Sequence, residues 1–402
     1  MARMPRKTKR KIGLIAALLI LLSLLTLLYV NYLATKKIGF DVAVDSGSAV
    51  TPPQFLYSFA GAPPNQLQRP LGVFADGTGY VWVTDSIQGR LLKYREDGTF
   101  VGSYGKGTLL TPLYIVKNPL NGRIYVSDRR TRQIHIFDAG GKYLGIFDPK
   151  LPKNQRPTFT TVQWAPVAMA FAPDGTFYVT ELLKGHRLLI FGPDGKFKKS
   201  VGDAGIPKDP NSGPELFQFP NSIKVHGNEV WVADSNNRRI QVFSRDGEFK
   251  RMLVTSGLPR GFDFLPQLAG RKKDAPALLT VIDTLAHDAT IWDATGNKML
   301  TFGGQGVMDG QFSYPNDLSV GTKAKIFVAD TYNARIQVWG WPSETAVVKL
   351  PPLPQYWGWC LTPLLLLPLL LLPPLLLLTL LHLPLLLLTR SNSASLWLKA
   401  GS

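Results

Sequence analysis

One short segment recurs six times along this chain of 402 residues, and that recurrence limits the folds open to it more than any other feature. It reads YVWVTD ending at Asp85, IYVSD at Asp128, TFYVTE at Glu181, EVWVAD at Asp234, LLTVID at Asp283 and KIFVAD at Asp330. In every copy, apolar residues stand two and four positions before the acid, as Val81 and Val83 do in the first. The position between them is aromatic in five copies (Trp82, Tyr125, Tyr178, Trp231, Phe327), and Thr280 fills it in the fifth copy. Side chains alternate across a strand with period two, so both faces of this strand are apolar. A strand apolar on both faces lies between two sheets, as the blades of a propeller do.

The flanks of the segment repeat as well. A short polar loop follows each acid, and then a second strand: RLLKY from Arg90, QIHIF from Gln133, RLLIF from Arg187, RIQVF from Arg239 and RIQVW from Arg335. A turn comes next, Glu96-Asp97-Gly98 in the first copy, Ala139-Gly140-Gly141 in the second, and Ala294-Thr295-Gly296 as the variant in the fifth. Glycine there supplies the positive φ of a tight hairpin and leads into a third strand such as TFVGSYG from Thr99. The sixth copy has no such last strand, because Trp341-Pro342 follows Trp339. Phe55-Leu56-Tyr57-Ser58-Phe59-Ala60-Gly61 carries the missing pattern ahead of the first copy. The expected fold is therefore all-β: a six-bladed β-propeller over 54–344, its ring closed by the N-terminal strand completing the last blade.

Gly310-Gln311-Phe312-Ser313-Tyr314-Pro315-Asn316-Asp317, followed by Ile326 through Val338, closely resembles the NHL repeat, and Phe219-Pro220-Asn221 through Phe243 resembles it nearly as well. The resemblance extends over 54–344, is weaker in the first three copies, and is degenerate in the fifth, which holds an insertion around Gly270–Pro276. It implies a fold rather than an activity, because propellers of this kind include enzymes, RNA binders and scaffolds.

The two ends have a different character. Residues 1–11 hold six basic residues and no acid, and 12–33 (IGLIAALLILLSLLTLLYVNYL) hold no charge. Twenty-two helical residues span roughly 33 Å, against about 30 Å of hydrocarbon. Ala34-Thr35-Lys36 makes a poor cleavage site, so an uncleaved signal-anchor is expected. The positive-inside rule then places the linker 34–53 and the propeller outside the cell membrane. Residues 345–389 form a Pro/Leu-rich apolar tail, with leucine at 20 of the 28 positions from Leu361 to Leu388, and 390–402 a short end. A second membrane segment near Trp357–Leu372, giving two passes instead of one, or a shifted reading frame or repeat slippage in the gene accounts for that tail. The formal net charge of +17 is misleading about partners: 54–344 hold 34 Lys and Arg against 26 Asp and Glu, and much of the excess sits at the ends. The single cysteine, Cys360, rules out an intramolecular disulfide.

The acid of each strand and a following arginine form five recurring pairs: Asp85/Arg90, Asp128/Arg132, Glu181/Arg187, Asp234/Arg239 and Asp330/Arg335. A catalytic constellation occurs once, so these are expected to be structural ion pairs that fix each blade's loop. No catalytic residue and no resident metal is expected, and catalysis of the chain's own is disfavoured. In the zinc-dependent amidating lyases within the family that the repeats resemble, three histidines hold the metal; the matching positions here are Gly89, Asn221 and Asn316, none of them histidine. A divalent cation in the central channel, held by Asn221, Asn316 and Asp317, is the alternative that would make the protein a metal-dependent hydrolase or lyase. Arg129, Arg130, Lys184, His186, Asn236, Arg238 and Tyr332 stand in matching loops and form the candidate binding face, joined by the long connections 148–163 and 203–217. The expectation is a membrane-anchored scaffold that binds an extracytoplasmic protein or polysaccharide, with no nucleic-acid partner.

Overall fold

The computed structural model describes residues 18–23, 25, 26, 29, 48–268, 271–342 and 347–349. Six four-stranded antiparallel sheets form the blades. Blade 1 holds the strands Pro70–Ala75, Tyr80–Asp85, Arg90–Arg95 and Phe100–Tyr104, called A to D from the innermost outward. The B strands of the six blades end at Asp85, Asp128, Glu181, Asp234, Asp283 and Asp330, so the repeated acid marks a strand end in every blade. Their central residues, Trp82, Tyr125, Tyr178, Trp231, Thr280 and Phe327, are all buried. The C–D turns use Gly98, Gly141, Gly195, Gly247 and Gly296, each at positive φ. Six separate apolar clusters fill the six blade interfaces, one example being Trp82, Leu91, Ile115 and Val126 between blades 1 and 2. Each sheet is thus buried on both sides, the arrangement that a strand apolar on both faces requires.

The ring closes as the sequence requires. Gln54–Phe59 is the D strand of blade 6 and pairs antiparallel with Arg335–Gly340, from Gln54 opposite Gly340 to Phe59 opposite Ile336. A further pair, Ser48–Val50 with Val347–Lys349, extends beyond the expected domain limits of 54 and 344. A C strand runs from the B–C loop to the C–D turn, so the chain enters and leaves the propeller on the C–D side, opposite the B–C loops.

The innermost strands are the feature that alternation did not reveal. In blades 1 to 5 they begin at Pro70, Pro112, Pro166, Pro220 and Pro259, and in blade 6 at Asp317, two residues after Pro315. Proline at the first strand position leaves no unpaired N–H. In blades 4 to 6 they carry the polar residues Lys224, Asp263 and Asp317, which break the apolar pattern.

Of the expected span 12–33, the described residues are helical, and Leu18, Ile20, Leu22 and Tyr29 are exposed. Among the described residues no helix is long and apolar enough to cross a membrane. The basic segment 1–11, the remainder of that span and everything from Leu350 onward lie outside the described residues.

Candidate functional site

Four of the five expected ion pairs form: Arg90–Asp85 at 3.1 Å, Arg187–Glu181 at 2.6 Å, Arg239–Asp234 at 2.9 Å and Arg335–Asp330 at 2.9 Å. Each of these arginines also binds carbonyls of the connection that enters its own blade. Arg90 donates to Pro64 O and Gln66 O, Arg187 to Gln155 O, Arg239 to Gly213 O and Leu216 O, and Arg335 to Met308 O and Gln311 O. The long connections around 148–163 and 203–217 are therefore tied to the B–C loop face. Blades 2 and 5 have Gln133 and Asp288 in place of the arginine, and they are the blades entered by short connections, 105–111 and 255–258.

The fifth pair, Asp128/Arg132, does not form. The Asp128 carboxylate accepts four backbone N–H groups, from Leu110, Thr111, Arg130 and Thr131. Arg132 stands one residue too early, at φ 56° ahead of the C strand, and its side chain is exposed. Its spacing of four from the acid, where the true pairs have five or six, was the signal for this difference.

Freed from that role, Arg132 lines a cavity of about 560 Å³ at the mouth of the central channel. The second position of the inner segment contributes one residue from every blade: Leu71, Leu113, Val167, Asn221, Arg260 and Asn316. Arg69, Arg129, Arg132 and Arg260 supply four positive charges, and no acid is among the lining residues. None of the four enters an ion pair among the described residues. The Arg260 Nε is buried without a hydrogen-bond partner. Ala165, Pro166, Val167, Leu182 and Leu183 make an apolar wall on blade 3.

Tyr114 and Asn316 also line the cavity, and Asp317 follows Asn316 in the chain. The Asn316 carboxamide donates to Leu71 O at 2.8 Å and lies 3.3 Å from the Tyr114 hydroxyl. Burial pushes the Tyr114 phenol up to about 12, with the charge of Asp317 adding to that shift and Arg260 opposing it. Asp317 accepts the Val73 N–H at 3.1 Å, and burial raises its carboxyl to about 7 against the opposing charge of Lys224. Lys224 itself pairs with Asp263 at 3.0 Å. Arg260 and Lys224 so close to Asn316 and Asp317 oppose a divalent cation at that position. Asn221 donates its amide protons to Phe219 O and the Ser235 hydroxyl. No group of three or more His, Cys, Asp or Glu among the described residues is placed to hold a metal.

Of the expected binding residues, Arg129 lines the cavity, while Arg130, Lys184, His186, Asn236, Arg238 and Tyr332 do not. Tyr332 lies at its edge, its ring under the Arg69 guanidinium at 5.4 Å. The His186 Nδ1 accepts the Phe219 backbone N–H at 3.3 Å and so supports a residue of the lining. Lys184 bonds to Asn154 O in the long connection between blades 2 and 3. Backbone bonds fix Arg130, Asn236 and Arg238 in their loops. Arg69, Arg260, Tyr114 and Phe219 are the site residues that the repeated segments did not disclose. They belong to the inner strands or to the residue just before them, and alignment on the six prolines would have collected them.

The arrangement is thus an NHL-type propeller with an arginine-lined channel mouth. The NHL repeat model matches residues 217–243 and 312–339. NHL repeat-containing protein 3 of Mus musculus is 24% identical over 193 residues, covering 46% of this chain and 52% of that protein. The Homo sapiens protein of the same name is 21% identical over 190 residues, covering 45% and 51%. The chain therefore spans about half the length of the curated relatives it matches. An auxiliary nutrient binding protein from Bacteroides thetaiotaomicron superposes with a TM-score of 0.52 at 13% identity, covering 68% of this chain and 69% of that one, a likeness of fold alone. This chain carries NHL repeats and folds as a six-bladed NHL-type β-propeller.

Proposed function

We propose that the protein is a membrane-anchored, extracytoplasmic binding module that takes an anionic partner, a protein or a polysaccharide, at the mouth of its central channel. The carrying observation is the cavity of about 560 Å³ ringed by Arg69, Arg129, Arg132 and Arg260, with no acid on its lining. Concave sites of roughly 300–1,000 Å³ with a few converging polar groups are the usual form of ligand sites. Guanidinium groups free of ion pairs are suited to carboxylates or phosphates, which they bind in two-pronged fashion.

Two features are consistent with anchoring at the N-terminal end. The Ser23 and Thr26 hydroxyls donate to Leu19 O and Leu22 O, so the exposed face of that helix offers few unmet polar groups to lipid. The chain joins the propeller on the C–D side, which leaves the cavity facing away from the point of attachment.

Thermal unfolding of the full-length protein in detergent, with and without citrate at fixed ionic strength, tests the binding claim. Citrate should raise Tm by mass action, and Arg129→Gln with Arg132→Gln should remove most of that rise. An unchanged Tm in the unaltered protein counts against the claim. Orientation is tested by placing one cysteine at Asn211 in a Cys360→Ser background and applying an impermeant maleimide to intact cells. Labelling without lysis is expected, and labelling that requires lysis would remove the extracytoplasmic assignment.

A further inference from the structure

We propose that the anionic partner is an acidic polysaccharide, with one carboxylated sugar in the arginine cavity and the next over an aromatic platform at its rim. The proposal rests on the anion-binding reading above and gives it a ligand class.

Two aromatic residues at the channel mouth are held by the same device in different blades. Phe219 precedes the inner strand of blade 4 at φ 54°, and Tyr314 precedes that of blade 6 at φ 47°. Bulky residues rarely occupy this left-handed region, and such outliers gather at ligand clamps. In each case a histidine from the B–C loop of the preceding blade holds the strained backbone. His186 Nδ1 accepts the Phe219 N–H at 3.3 Å with rings 4.8 Å apart, and His287 Nδ1 accepts the Tyr314 N–H at 3.0 Å with rings 4.4 Å apart. Burial does not explain the conformation, because Phe219 and Tyr314 are each 43% exposed. Two neighbouring blade pairs thus hold an aromatic ring in an unfavourable conformation where solvent, or a ligand, can reach it.

The second device continues outward from the cavity. Tyr314 packs on Tyr332 at 4.9 Å, and Tyr332 lies under the Arg69 guanidinium, which lines the cavity. His287, Tyr314, Tyr332 and Arg69 therefore form an unbroken row over blades 5, 6 and 1, ending at the charged site. Sugar rings present apolar C–H faces that lie flat on aromatic surfaces, and a carboxylate on the ring pairs with guanidinium. An extended polymer that alternates such faces with carboxylates matches a platform leading into an arginine cavity. Single-stranded nucleic acid also combines rings with charge, and poly(U) in the test below distinguishes it. A small free anion would use the cavity and leave the platform idle.

The test is titration calorimetry on the full-length protein in detergent at constant salt. The probes are polygalacturonate, galacturonate monomer, neutral dextran, dextran sulfate and poly(U). Polygalacturonate should bind at least about tenfold tighter than dextran, a difference of about 1.4 kcal/mol. Tyr332→Ala should weaken the polymer about tenfold and leave the monomer unchanged. Arg260→Gln should weaken both. Tyr332 is 63% exposed, so its truncation leaves the fold intact, which an unchanged Tm will confirm. If Tyr332→Ala leaves polygalacturonate binding intact, or poly(U) binds as tightly, the polysaccharide assignment is overturned while the anion-binding reading stands. Tight binding of dextran sulfate without binding of polygalacturonate overturns the carboxylated sugar and assigns the cavity to a sulfated one. If no anionic probe binds, both fall together.

Discussion

Asp317 sits where the fold and the proposed site meet. It is buried beside Tyr114 of blade 2, Lys224 of blade 4, and Arg260 and Asp263 of blade 5, and its carboxyl is raised from 3.8 to about 7. The folded state therefore favours the protonated form. Stability from this group is full below about pH 4, declines as pH rises, and is lost once pH passes about 7. Asp317→Asn removes the titration and keeps an oxygen for the Val73 N–H. The variant should melt above the unaltered protein at pH 8, by on the order of 3 kcal/mol, with the gap closing toward pH 4. A variant less stable at pH 8 would show that Lys224 holds the carboxylate charged. Anion affinity should follow the same titration, because the carboxylate repels an anion seated in the cavity. Little of this could be read from the sequence. Asp317 stood out there as a possible metal ligand, whereas its burial and the cations around it come from strands distant in the chain.

At the scale of the element, the repeated acid and arginine were legible as a structural device, but what the arginine holds was not. Five recurrences implied a loop-fixing pair; four of the pairs form, and the structure adds that each of those four arginines also clamps the connection entering its blade. Arg239 shows the dependence most strongly: it is completely buried, bonds Asp234 at 2.9 Å, and caps carbonyls from Gly213 and Leu216. Arg239→Met leaves a buried carboxylate without its cation and should cost about 3–5 kcal/mol, read by denaturant unfolding. Arg132→Met should leave stability within about 0.5 kcal/mol, as exposed substitutions do, while weakening the citrate effect. Equal losses from the two substitutions would contradict the separation of structural from site arginines. The inner strands escaped the sequence pattern for a related reason. Alternation reveals strands packed between apolar sheets, whereas the inner strands of blades 4 to 6 carry Lys224, Arg260, Asp263 and Asp317 and those of blades 1 to 3 do not, so no common pattern marks them.

For the whole molecule, the closure of the ring was fully legible, because a missing strand at one end and a spare one at the other can be matched by pattern alone. The same closure concentrates the molecule's vulnerability in one place. Among the described residues Gln54–Phe59 is the strand that pairs with the outer side of Arg335–Gly340, and Phe55 packs edge-on against Trp339 at 6.1 Å. Five blades are formed from consecutive chain, so each brings its own outer strand; the sixth depends on a segment some 280 residues away in sequence, whose pairing is entropically the most costly to form. A soluble chain beginning at Gly61 should keep its blades but present an unpaired, largely apolar edge, the template on which chains associate. It should melt well below a chain beginning at Ser48 and form dimers or larger species in light scattering. Adding the peptide Thr51–Ala60 in excess should restore the monomer by supplying the missing strand in trans, as strand addition to an open edge does. A monomeric truncated chain with an unchanged melting temperature would mean that the contacts among the other blades hold the ring shut. In that case the N-terminal strand would matter only as the link to the segment that precedes it.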